Sequence, residues 1–183
     1  SLPIIPDEIL LNSNAFGFYR VNNNFKSNGI LTKNYTSEEK YSLIDDYWSL
    51  VLNGSKNPEE FIEFCESFND ELDPDILGLL YSCFTSLNRS YKNKNIIHKV
   101  VKIIFENSYN ELLNLSNRSV REIQSLAISF RALCIIIKDE NVINLSGKIF
   151  DNYVNHKKQN FEPDIISSVI SINAFFGDEK VFD

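Results

Sequence analysis

From about residue 36 onward, apolar residues recur three and four positions apart, the period of a helix with one buried face. Thr36-Ser37-Glu38-Glu39 has the form of a capping box, in which the threonine and the third residue of the helix cap each other's backbone amides. Tyr41, Leu43, Ile44, Tyr47, Trp48, Val51 and Leu52 then predict one apolar face, and Gly54 is placed to end that helix. Asn57-Pro58 opens the next, with proline at the first helical position and Phe61, Ile62, Phe64, Cys65 and Phe68 inward. Asp73-Pro74 repeats the device ahead of Ile76, Leu77, Leu80, Cys83, Phe84 and Leu87. A longer helix is predicted from about Asn95 to Leu113. Ser119 and Glu122 form a second capping box, opening a helix that carries Ile123, Leu126, Ala127, Phe130, Leu133, Cys134 and Ile137. Val142, Leu145, Ile149, Phe150 and Tyr153 mark a sixth helix. Glu162-Pro163-Asp164 starts a seventh, with Ile165, Ile166, Val169, Ile170 and Ile172 on its face.

Short loops make consecutive helices antiparallel. Apolar residues on more than one side of many helices suit a stacked array, in which each helix touches the layers before and after it. The expected fold is all-α, an irregular α-α superhelix of HEAT- or armadillo-like pairs without a strict sequence repeat. The first stretch reads differently. Glu8–Asn12 and Phe18–Asn22 are rich in β-branched and aromatic residues, and the turn between them holds Gly17, which is free to take a positive φ. They predict a short β-hairpin belonging to a sheet of a neighbouring domain, because two strands alone are not stable.

Composition narrows the function. The 183 residues carry a net charge of −7, which argues against a nucleic-acid backbone binder. No apolar run reaches the roughly 18 residues of a membrane span. The chain holds no methionine and starts at Ser1, which reads as a piece of a longer protein. Cys65, Cys83 and Cys134 are too widely spaced for a zinc knuckle and read as reduced core thiols of a cytoplasmic protein. His98 and His156 each precede a lysine and read as solvated or capping side chains near helix ends. Adjacent carboxylates on a helix point about 100° apart, so neither Asp45-Asp46 nor Glu59-Glu60 converges on one substrate atom. Glu59 and Glu60 suit the positive end of their helix. Asp45 and Asp46 sit in mid-helix beside an apolar face, where a carboxylate needs a partner, and Arg20 is the candidate. A substrate contact and plain exposure stay open as alternatives.

The order of these motifs is more specific than the composition. Glu8-Ile9-Leu10-Leu11-Asn12, then Gly17-Phe18-Tyr19-Arg20-Val21-Asn22, then Leu43-Ile44-Asp45-Asp46 with Gly54 closing the helix, resembles one junction in the zinc aminopeptidases of the gluzincin type. These include aminopeptidase N, the puromycin-sensitive and endoplasmic-reticulum aminopeptidases and the archaeal tricorn-interacting factors. The resemblance implies that residues 1–24 are closing strands and linker of a β-sandwich domain. Residues 25–183 would be the first part of the C-terminal α-helical domain. Gly17, Phe18, Tyr19, Arg20, Asp45 and Asp46 would be structural members of the motif. The family's Tyr-Asp is replaced by Asn23-Asn24, its arginine before the Leu-Ile-Asp-Asp by Lys40, and its following alanine by Tyr47. The helix between the two motifs is expected to shrink to a turn around Ser27–Leu31.

The family's His-Glu-x-x-His helix, downstream glutamate and Gly-x-Met-Glu-Asn loop match nothing here, so no catalytic or metal residue is carried over. The resemblance implies a non-catalytic part of an aminopeptidase, with zinc bound elsewhere in the parent chain. This domain would cap the active-site cavity and control peptide access. Its expected partners are the remaining domains, peptide substrates and a protease complex, and the fragment alone is expected to be inactive. The alternative is a helical-repeat interaction scaffold without peptidase activity.

Overall fold

A computed structural model describes residues 11–17, 19–22, 35–155 and 162–177. Among these residues seven α-helices follow one another: α1 (Ser37–Leu52), α2 (Pro58–Cys65), α3 (Pro74–Ser90), α4 (Lys94–Leu113), α5 (Val120–Ala132), α6 (Glu140–Asn155) and α7 (Pro163–Phe176). Their starts are chemically determined. In α1 the Glu39 amide donates to the Thr36 hydroxyl at 3.3 Å, and the Glu39 carboxylate accepts the Thr36 amide at 3.0 Å. Ser119 and Glu122 do the same for α5. Asn57 and Asp73 cap α2 and α3 from positions just before a proline. After α1, Gly54 takes a φ of 79°, a conformation that costs glycine nothing and a β-carbon about 1–2 kcal/mol. α5 widens into a π-helical turn, Leu133–Ile137, and Lys138 stops it in the left-handed region.

The helices form two layers. α1, α3, α5 and α7 pack side by side in one. In the other, α2 packs on α4, and both α4 and α6 meet the π turn. Between the layers lies an apolar core in which Phe61, Phe68, Phe84 and Phe105 are fully buried with Ile44, Ile76, Leu77 and Leu80. Tyr47 and Trp48 of α1 set their rings 5.1–5.6 Å from those of Phe61 and Phe64, in edge-on and tilted geometries that exceed simple area burial in energy. Serines let helices approach closely without orphaning a hydroxyl. Ser129 donates to Ser108 at 3.1 Å between α5 and α4, and Ser168 donates to the Ala127 carbonyl at 3.2 Å between α7 and α5.

Three expectations need correction. Among the described residues there is no strand. Ser13–Ala15 form a 3-10 turn, and Tyr19–Asn22 run without a ladder partner. Residues 8–10 and Phe18 of the expected hairpin, and the shortened turn around Ser27–Leu31, lie outside the described residues. The Asn14 and Val21 amides bond instead to the Glu39 and Asp46 carboxylates of α1. Second, Gly17 does not take the positive φ. Asn12, Asn14 and Ala15 do. Gly17 is required for close approach, since a β-carbon there would sit 2.7 Å from Asn12 Oδ1 and against the Tyr19 ring. Third, the inward faces were drawn too wide. Tyr41 and Leu52 of α1 and Ile170 of α7 are exposed, because α1 and α7 border the odd-numbered layer.

Candidate functional site

Because the odd-numbered helices run the same way, their N-termini gather on one edge of the array. Ser37 at the start of α1 donates to Asp73 Oδ2 at 3.0 Å, just before α3. Arg121 in the first turn of α5 reaches Asp73 at 2.9 and 3.0 Å and Asp75 at 2.9 Å. Burial opposes ionisation of Asp73. The Asp75 amide, the Ser37 hydroxyl and the Arg121 guanidinium outweigh it and hold the carboxyl below the ordinary aspartate range. These residues form one wall of a cleft of about 690 Å³, and Glu38, Tyr41, Ser42 and Asp45 of α1 form another. The lining thus carries four carboxylates and one guanidinium, two of the carboxylates paired with it. A hollow of about 360 Å³ adjoins it and shares Ala15, Ser42 and Asp45.

The hollow holds the motif residues singled out in the sequence. Arg20 forms an ion pair with Asp45 and lies 3.5 Å from Asp46 Oδ1. Both Arg20 and Asp45 are partly open to solvent, whereas the Asp46 side chain is only 7% exposed. Burial pushes the Asp46 carboxyl upward, and neither the Val21 amide bonded to it nor the Arg20 charge fully offsets that. Arg20 itself is held more firmly protonated, chiefly by Asp45. Gly17 and Tyr19 lie in the same hollow, with Tyr19 exposed; Phe18 lies outside the described residues.

Sequence reasoning missed two features. Glu39 was legible only as a cap, yet its Oε1 also accepts the Ser13 hydroxyl at 3.0 Å and the Asn14 amide at 2.9 Å. These bonds, with the Thr36 amide, hold the Glu39 carboxyl below its ordinary range. The Asp73–Asp75–Arg121 cluster was missed altogether. Asp73 and Asp75 at the start of α3 are a local signal, but their convergence with Arg121 is not.

The arrangement can bind and orient charge, and it contains no assembled nucleophile and base. Burial pushes the Cys83 and Cys134 thiols up to about 12 and Cys65 well above its ordinary value, so none is a reactive thiolate near neutrality. His98 pairs with Asn88 Oδ1 at 3.3 Å, and burial lowers its basicity. His156 lies outside the described residues. Among the described residues no three His, Cys, Asp or Glu side chains converge as metal ligands, so the donors present do not fit a zinc ion. None of the described helices is long and apolar enough to cross a membrane.

Compared with known families, residues 9–183 match the model of the ERAP1-like C-terminal domain. Among curated proteins the chain is similar to a tricorn protease-interacting factor F2 of Thermoplasma volcanium, with 26% identity over 110 residues. That stretch is 58% of this chain but only 14% of the relative, so the chain corresponds to a small part of the relative's length.

Proposed function

The chain belongs to the ERAP1-like C-terminal domain family, and from that membership we propose that it is the first part of the helical domain of a zinc aminopeptidase. The match over residues 9–183 carries this reading. In it, residues 1–24 lead in from a preceding β domain and the helical array covers the cavity in which the parent chain's zinc acts. The metal would supply Lewis-acid chemistry there, held by ligands outside this sequence. The part played by these residues is to bound the cavity, limit which peptides enter and exclude water around the bound chain.

The open acidic cleft supports a surface contact with peptide, because four carboxylates and one guanidinium favour basic over acidic chains. The reading extends to a cytoplasmic setting and, following the relative's name, to work beside a larger protease. Aminopeptidase assays on the full-length parent protein test it, using aminoacyl-coumarin substrates with and without a zinc chelator. Release of N-terminal residues that chelation abolishes is expected, while the 183-residue chain alone should be inactive. A parent protein without peptidase activity would overturn the reading and leave a helical binding scaffold.

A further inference from the structure

Residues 11–17 and 19–22 touch α1 at two separated places. At one, Glu39 Oε1 accepts the Ser13 hydroxyl and the Asn14 amide. At the other, Arg20 pairs with Asp45 and Asp46, and the Val21 amide bonds to Asp46 while the Val21 side chain is buried. Glu39 and Asp46 stand seven residues apart on the helix, about two turns or roughly 10 Å along its axis. One anchor would leave the segment free to pivot. Two anchors at this separation remove the pivot and fix a direction.

Residues 12–17 are themselves stiffened. The Asn12 side chain accepts the Gly17 amide at 2.6 Å and donates to the Gly17 carbonyl at 3.0 Å, while the Ala15 amide closes onto the Asn12 carbonyl at 2.8 Å. The Asn14, Ala15, Gly17 and Val21 amides thus find acceptors within the segment or on α1, a condition that favours one conformation of a short non-helical segment. Glu39 also ties this system to the start of α1, because its Oε2 accepts the Thr36 amide. Displacing the segment would disturb that capping box as well.

We propose that residues 11–17 and 19–22 form a rigid joint, in which Arg20, Asp46 and Glu39 act as positioning residues that fix the direction in which the preceding part of the chain leaves the helical array. This rests on the reading above only in taking that preceding part to be a domain. The joint makes α1 and the domain ahead of it turn as one body, so closure between the helical array and a catalytic domain would bend elsewhere.

The test uses the full-length parent protein and two variants. Arg20→Ala with Ser13→Ala removes both ion pairs at one anchor and a hydrogen bond at the other. Arg20→Lys keeps the charge. Hydrogen exchange is read at the Asn14 and Val21 amides and in α3, and spin labels on α1 and on the preceding domain report their distance distribution. In the wild type both amides are expected to be protected and the distribution narrow. The double variant should exchange at those amides at least tenfold faster and broaden the distribution, with α3 unchanged. Arg20→Lys should restore most of both. Unprotected amides in the wild type would overturn the proposal, as would faster exchange with an unaltered distance distribution. Neither readout depends on peptidase activity, so an inactive parent protein would count against the functional reading alone.

Discussion

Phe84 in α3 and Asp46 in α1 are both buried, yet they hold the molecule by opposite means. Phe84 sits among Ile, Leu and Phe side chains between the two layers, where every atom gains from leaving water. Asp46 is buried against a backbone amide and an arginine, and its raised pKa shows that burial costs its charge more than those partners return. The interior of the array is held by buried apolar area. The joint is held by direction, through a few donors and acceptors that must be in place. A solid stack can afford a polar joint at its edge, and the joint supplies what apolar packing lacks, a unique orientation.

The strongest way to break this contrast is Phe84→Ala. Truncating a fully buried phenylalanine should cost about 3–5 kcal/mol in urea unfolding. A loss below about 1 kcal/mol would mean the core is loosely packed there. Thiol chemistry probes the same interior. Cys83 and Cys134, pushed up to about 12, and Cys65, raised well above its ordinary value, should react with iodoacetamide at pH 8 about a hundredfold more slowly in the native state than in urea. Comparable rates would show that the core opens readily.

Asp46 sharpens the other side. Asp46→Ala leaves the buried Val21 amide without its acceptor and should destabilise by about 1–3 kcal/mol. Asp46→Asn keeps an acceptor and removes the buried charge, so it should be near neutral in the same unfolding assay. Equal losses from both variants would mean that the charge itself holds the joint.

Acid separates the two anchors. The Glu39 carboxyl is depressed in the folded state, so its contribution is present above the ordinary glutamate value of 4.5 and is lost as pH falls through its lower folded value. The Asp46 carboxyl is raised, so protonation as pH falls through its folded value favours the folded state over the unfolded one. Exchange at the Asn14 amide, corrected for its intrinsic rate, should stay constant from pH 7 to 5 and rise only below the ordinary glutamate range, with α3 unchanged. The smallest effect is expected from Asp45→Asn. Its pair with Arg20 is partly solvated, so a loss under about 1 kcal/mol, shrinking further in 1 M salt, should appear in thermal unfolding.

Much of the array was readable because its signals are local. Asn57-Pro58 and Asp73-Pro74 start helices whatever surrounds them, and Phe61, Ile62, Phe64 and Phe68 are buried as their spacing requires. The expected hairpin is harder to read, because β-branched and aromatic residues report only a readiness to be extended. Which distant partner Tyr19–Asn22 meet is not written in their own residues, and among the described residues α1 receives Arg20 and Val21. Tyr41 and Leu52 failed for a related reason, since periodicity identifies an apolar face but not how much of it a neighbour covers.

The sequence alone therefore determined where the helices start and which apolar residues each offers to the core, because caps, prolines and helical spacing act within a few residues. The tertiary structure alone decided that Ser37, Asp73 and Arg121 meet in one cleft and that Glu39 reaches Ser13 and Asn14 as well as Thr36. Those contacts join residues far apart in the chain, and a hydrogen bond acts only over about 3 Å. Which groups come within that reach is set by the stacking of the layers.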